Sequence, residues 1–347
     1  MAMNPACDML LAVGSGVIND VCKVVAHACG KLHMVVATAP SMDGYASSSS
    51  SMHVNEIKST VYNACPIAIV ADSDIISQAP MRMLWSGLGD MIAKYVSICE
   101  WRIANVVIGE YYCEEVAKLV RRSLKRIMDN ASKLTSRDPE TIQAVTEGLV
   151  LSGVAMSFAD TSRPASGLEH YFSHMWEMMA MERHTHADFH GIQVGVGTLL
   201  TLKLYDWIKT LTPDRQKAID YVNNFDEKAW TEMVNRIFGT IAPQILDIEK
   251  NVKKNDPEGH KKRLDNIIAH WDEILGFINE ELPDTEWLAG IMKDIGMPMT
   301  PDDLGIDEED TKDAFTGARE IRDKYLSCSM LWDMGLTNEG REKVHAK

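Results

Sequence analysis

The sequence predicts an α/β domain over residues 1–79 followed by an all-helical domain over residues 80–347. Up to about residue 78, short apolar runs alternate with turns. From Pro80 onward, apolar residues recur at helical spacing and no strand-like alternation appears. A chain of 347 residues can also bury a core large enough for two domains.

The elements follow in order. Met9 to Val13 reads as a buried strand. Val17 to Cys29 reads as a helix, with Val17, Val21, Val24, Val25 and Ala28 at helical spacing. His33 to Thr38 is a second strand. The serine run Ser47 to Ser51 reads as a flexible loop. Extended segments follow around Ser51 to Ile57 and Thr60 to Ala64, and Ile67 to Ala71 reads as another buried strand. Pro80 suits a helix start. Cys113 to Lys133 reads as one long amphipathic helix, and Asp138-Pro139-Glu140 caps a helix that runs to Ala159, with Gly148 to Ala159 buried. Thr212-Pro213-Asp214, Thr300-Pro301-Asp302 and Asp307-Glu308-Glu309 mark later starts. There is no internal repeat.

Composition narrows the function. A net charge of −15 argues against nucleic-acid or anionic-membrane surfaces, which need basic patches. The one compact basic run, His260-Lys261-Lys262-Arg263, reads as a solvated helix face. Seven scattered cysteines without a CxxC pair fit reduced thiols in a cytoplasmic protein. No signal peptide is visible, and the apolar stretch Gly148 to Ala159 is too short to insert in a membrane.

Chemistry concentrates in a few segments. In GSGVIND, Gly14 and Gly16 allow a tight turn between strand and helix, and the helix start offers free N–H groups to a dinucleotide pyrophosphate. Asp90 lies among apolar residues in SGLGDMIAKY. His170 and His174, four apart, share a helix face. His184, His186 and His190 follow closely. One carboxylate and two imidazoles are a ligand set for a catalytic divalent metal that keeps open positions. Residue chemistry does not choose the third ligand among His184, His186 and His190. Gly191, Gly195 and Gly197 permit close helix packing around His190. A pyrophosphate turn and a metal set together suggest a metal-assisted, nicotinamide-dependent alcohol dehydrogenase.

GSGVINDVCK, ATAPSMDGYASSSSSM, SGLGDMIAKY, SRPASGLEHYFSHMWEM and FHGIQVGVGTLL, in this order, resemble the superfamily of iron-containing alcohol dehydrogenases, glycerol dehydrogenases and dehydroquinate synthases. The resemblance is strongest to its sn-glycerol-1-phosphate dehydrogenase branch, the bacterial AraM-like proteins. It spans the chain and is specific to about residue 205. It implies a dehydroquinate synthase-like fold: a Rossmann-like domain, then an all-α domain. It implies NAD(P)H on Gly14, Ser15, Gly16, Val17, Ile18, Thr38, Ala39, Pro40, Ser41 and Ser47. Asp90, His170 and His190 would hold one divalent metal, nickel or zinc ahead of iron. Asp43, Asp90 and His174 would bind substrate, with Asp90 and His174 catalytic. This reading turns His174 toward substrate, away from the metal. The implied reaction is reduction of dihydroxyacetone phosphate, a phosphorylated triose, to sn-glycerol 1-phosphate in a homodimer.

The chain departs from the family pattern at two places. Many relatives read HGEK where this chain has His190-Gly191-Ile192-Gln193, though neither changed side chain is a family metal ligand. A dinucleotide fold also normally carries at least one βα unit ahead of such a turn, so the N-terminal part of the domain is expected to be missing. In relatives that part completes the sheet and supplies an acidic residue near the adenosine ribose. The alternatives are a glycerol or polyol dehydrogenase of the same superfamily, and a non-catalytic remnant.

Overall fold

A computed structural model describes residue 4, residues 6–54 and residues 57–344. Strand β1 (Met9–Gly14) leads into helix α1 (Gly16–Ala28), then β2 (Leu32–Ala37). A hairpin of β3 (Ser49–Val54) and β4 (Ile57–Tyr62) follows, then β5 (Ala68–Ala71). β1, β2 and β5 form a three-stranded parallel sheet in that order, with Leu11 opposite Met34 and Val35 opposite Ile69. A parallel order places the C-terminal ends of β1 and β2 side by side, where such sheets bind ligands. There the Thr38 N–H donates to the Gly14 carbonyl at 3.1 Å.

Two strands expected to be buried are not. Leu11 and Val13 are 52% and 58% exposed, and Ile67 is 59% exposed. β1 and β5 are the edges of the sheet, so only β2 has strands on both sides. The serine run is also not a flexible loop. Ser49 to Ser51 pair with Tyr62 to Thr60, and Lys23 of α1 pins the turn before them. The buried Lys23 ammonium donates to the carbonyls of Gly44 (2.8 Å) and Ser49 (2.5 Å) and to Ser47 Oγ (3.1 Å). Asn55 and Glu56, in the extended segment expected from Ser51 to Ile57, lie outside the described residues.

After the short α2 (Ser73–Ile76), every regular element among the described residues is helical. The first are α3 (Met81–Ile92), α4 (Lys94–Ile108), α5 (Glu114–Met128), α6 (Pro139–Ala159), α7 (Leu168–Glu182) and α8 (His190–Ile208). The expected helix Cys113–Lys133 stops at Met128. Asp129 follows as the C-cap, its carboxylate held by Lys125 Nζ, and a 3-10 turn covers Ala131–Ser136. Asp138 caps α6 as expected, accepting from the Thr141 N–H at 3.0 Å. The α6 helix is long and apolar enough to cross a membrane, but half of its apolar window is buried inside the protein. Its outer side, with Phe158 76% exposed, corrects the expectation of full burial. The basic run needs a similar correction. Lys261 and Lys262 are exposed, whereas His260 is buried with Nε2 2.9 Å from the Asp333 carbonyl, and Arg263 pairs with the Asp333 carboxylate.

Glycines let α3 and α8 cross at backbone contact. A Cβ on Gly191 would fall 1.8 Å from the Ser86 carbonyl oxygen, and one on Gly89 2.0 Å from the Gly191 oxygen. Gly87 makes the same approach to Pro40, at 1.9 Å. These contacts put Asp90 and His190 next to each other and press the loop after β2 onto α3. Gly191→Ala therefore costs about 3 kcal/mol in urea unfolding, the upper end for overpacking. A loss under about 0.5 kcal/mol would contradict the close crossing.

Candidate metal and dinucleotide site

The helix crossing and the sheet edge open onto one cleft of about 490 Å³. Its wall carries Ser15, Gly16, Val17, Ser41 and Ser47 from the α/β part. From the turn and helices come Asp43, Asp90, His170, His174, Glu177 and His190. Gly14, Ile18, Thr38, Ala39 and Pro40 are not in that wall. Ala39 and Pro40 are buried, the Ala39 carbonyl accepts from Tyr45 Oη at 2.7 Å, and Ile18 is 46% exposed. His184 and His186 are exposed between α7 and α8.

Asp90 is the hub of the site and is almost wholly buried. Its Oδ2 accepts the Asp43 backbone N–H at 2.9 Å. Its Oδ1 lies 3.3 Å from His170 Nε2 and 3.2 Å from Lys94 Nζ. Burial alone raises the Asp90 carboxyl, but the Lys94 ammonium and His170 outweigh it and hold it well below its ordinary value. Lys94 also donates to Asp43 Oδ2 at 2.7 Å and to the Ala165 carbonyl at 3.0 Å. One buried cation thus joins the two aspartates. Ser152 Oγ completes the Asp43 carboxylate at 2.9 Å, and Gly153 leaves room for the Asp43 backbone.

Two of the three imidazoles are oriented by a carboxylate. His170 Nδ1 faces Glu169 Oε1 at 2.8 Å, and His190 Nδ1 faces Glu177 Oε1 at 3.1 Å and Ser173 Oγ at 2.9 Å. A carboxylate at Nδ1 favours the tautomer protonated there, which puts the lone pair on Nε2 for a cation. Ser173 also donates to Gln193 Oε1 at 2.9 Å, so the residue that departs from HGEK steadies this network. The rings of His170 and His190 lie 5.4 Å apart, and His174 stacks on His190 at 5.7 Å. Ligand atoms of His174, Glu177 and His190 also lie within 4.8 Å of one another. These donors, one buried carboxylate and converging imidazoles, fit a divalent metal with positions left for a substrate oxygen.

Sequence reading missed Lys94, Glu169 and Glu177. His170, His174 and Glu177 stand at i, i+4 and i+7, one helical face, which is the signal that could have found Glu177. It also missed Glu100 of α4, which accepts the Leu168 N–H and the Ser327 N–H, each at 2.9 Å. Glu100 thereby satisfies the start of α7, two residues before His170. Burial, aided by the nearby Glu169 charge, pushes the Glu100 carboxyl up from 4.5 to about 7. Its folded value lies above the unfolded one. Its contribution to stability is therefore fully present below pH 4.5 and lost as pH rises through about 7. Glu100→Gln removes that part of the pH dependence, so urea midpoints of variant and wild type diverge in slope across this window; parallel curves would contradict the assignment.

The sequence profile described as iron-containing alcohol dehydrogenase matches residues 2–80. A glycerol-1-phosphate dehydrogenase [NAD(P)+] of Geobacillus thermodenitrificans is 31% identical over 282 residues, covering 75% of this chain and 70% of that protein. The chain belongs to the glycerol-1-phosphate dehydrogenase family. The family's counterpart from Bacillus licheniformis is 29% identical over 329 residues, 95% of this chain and 69% of that protein. Among solved structures, glycerol dehydrogenase from Schizosaccharomyces pombe superposes with a TM-score of 0.59 at 17% identity. That match covers 99% of this chain and 72% of the other and establishes the shared fold, α/β then all-helical. A dinucleotide NAD(P) and a metal fit this family and the donor set of the cleft.

Proposed function

We propose that the protein reduces dihydroxyacetone phosphate to sn-glycerol 1-phosphate with NAD(P)H and one divalent metal. The observation that carries this reading is the cleft itself. The buried Asp90 and His170 and the partly exposed His190 line it together with Ser15, Gly16 and Val17 at the start of α1. In this reading residues 1–79 carry the dinucleotide and residues 80–347 the metal and substrate.

When bound, the cation supplies Lewis acidity at the carbonyl and the reduced nicotinamide supplies the hydride. The chain's own groups do the rest. Asp90, His170 and His190 hold the cation, and Glu169, Glu177 and Ser173 fix the two imidazoles. The donor set suits nickel, zinc or iron(II) alike; the family resemblance puts nickel or zinc first. Ser15, Gly16 and Val17 take the dinucleotide phosphates at the N-terminus of α1, and Ser41 and Ser47 line the remainder. Asp43, fixed by Lys94 and Ser152, accepts a hydrogen bond from a substrate hydroxyl. His174, stacked on His190 and facing the cleft, positions the substrate and delivers a proton to the oxygen on the reduced carbon. We take the protein to act in the cytoplasm as a homodimer.

The competing polyol dehydrogenase uses the same metal and cofactor without a substrate phosphate. With metal-loaded protein and NADH, we expect kcat/KM for dihydroxyacetone phosphate to exceed that for dihydroxyacetone by at least about 100-fold, the value of charge-assisted hydrogen bonds to a phosphate. Equal values would favour the polyol reading, and no oxidation with either the non-catalytic one.

A further inference from the structure

A phosphorylated triose brings a charge of about −1.5 to −2 at neutral pH. The cleft wall is otherwise acidic, with Asp20, Asp43, Asp90 and Glu177. Among the described residues of that wall, Arg322 is the sole arginine or lysine. Lys94 does not substitute for it, since its ammonium is committed to Asp43 and Asp90.

We propose that Arg322 binds the phosphate of the triose, in the part of the cleft wall lined by the loop between α6 and α7. This rests on the dihydroxyacetone phosphate reading above. Ser162 and Ser166 of that loop stand in the wall with Arg322. Lys324 Nζ donates to Ser162 Oγ and to the Ser166 carbonyl, each at 3.0 Å. Because Ser162 Oγ accepts from Lys324, its own hydrogen is available to donate to a phosphate oxygen.

The same loop is tied to the reaction centre. Its Ala165 carbonyl accepts from Lys94, which holds Asp43 and Asp90. A triose with its carbonyl at Asp90 therefore extends along this loop toward Arg322. The corner also gathers three cations, Arg163, Arg322 and Lys324. Arg163 is matched by Glu110, but Lys324 is pushed well below its ordinary range by burial and by the charges of Arg163 and Arg322. A phosphate dianion relieves that repulsion, and a guanidinium offers it two parallel donors. The dinucleotide phosphates have a separate place, the Ser15–Gly16–Val17 turn of the wall.

The test uses metal-loaded protein, NADH, and the variants Arg322→Ala and Arg322→Lys. For Arg322→Ala we expect KM for dihydroxyacetone phosphate to rise about 30- to 150-fold, the loss of charge-assisted hydrogen bonds. Activity on dihydroxyacetone, which has no phosphate to lose, changes no more than about twofold, and so does KM for NADH. Arg322→Lys, which keeps a point charge without the fork, recovers part of the loss. Calorimetric titration of glycerol 1-phosphate into the protein weakens by the same factor as KM, without turnover. Equal losses on both substrates would mean a structural role and overturn the proposal. A selective rise in KM for NADH would assign Arg322 to a cofactor phosphate and overturn it as well. If wild type prefers the phosphorylated triose and Arg322→Ala keeps the full preference, the proposal alone falls. If wild type shows no such preference, the reaction reading falls and takes the proposal with it.

Discussion

Asp90→Asn lowers kcat/KM for dihydroxyacetone phosphate by at least about 10³-fold, or roughly 4 kcal/mol of transition-state stabilisation. The carboxylate is a proposed metal ligand that also accepts from Lys94 Nζ and the Asp43 N–H, with His170 Nε2 3.3 Å away. An amide keeps the shape but presents a neutral oxygen to the cation and an N–H₂ group to donors. Metal content measured by mass spectrometry falls in parallel, while circular dichroism stays that of the folded protein. Full metal content with unchanged turnover would remove Asp90 from the site.

Lys94→Met has the largest expected effect on stability. It leaves the carboxylates of Asp43 and Asp90 without the buried ammonium that both use. Breaking a buried pair by removing one partner costs about 3–5 kcal/mol. Urea unfolding of metal-free protein measures it, and added metal restores part of the loss by supplying positive charge beside Asp90. The pH dependence has a definite sign. Asp90 is held below its ordinary 3.8 in the folded chain, so its stabilisation is present above that value and lost as pH falls through the lower folded one. The gap between wild type and Lys94→Met therefore narrows in acid. A gap below about 1 kcal/mol at neutral pH would mean that water, not Lys94, compensates the two aspartates.

Local signals carried much of this fold and site. The apolar run before Gly14 and the helical spacing after it place β1, the turn and α1 within a residue or two of where they lie. Asp138 and Asp307 each cap the helix that follows, as their positions ahead of acidic first turns suggest. The histidines were legible because few residue types bind metals, and a shared helix face is a matter of spacing.

What was not legible depends on distant segments meeting. Lys94 stands four residues after Asp90 and reads as an ordinary helix pair; only the return of Asp43 and Ala165 makes it the link of the site. Glu100 lies in an apolar helix pattern, and its use appears only when Leu168 and Ser327 pack on it. The serine run looks unstructured because its order comes from Lys23 and from pairing with β4. The exposed sides of β1 and β5 follow from strand order, which hydrophobic runs do not encode.

The measurement that bears most directly on the central claim is a metal titration of the metal-free protein with NADH and dihydroxyacetone phosphate. Nickel or zinc is added in steps, NADH oxidation is followed by absorbance, and the product's configuration is determined. The account predicts activity that rises to a plateau at one metal per chain and yields sn-glycerol 1-phosphate. Tight binding of one metal with no NADH oxidation, or a product of the opposite configuration, would contradict it.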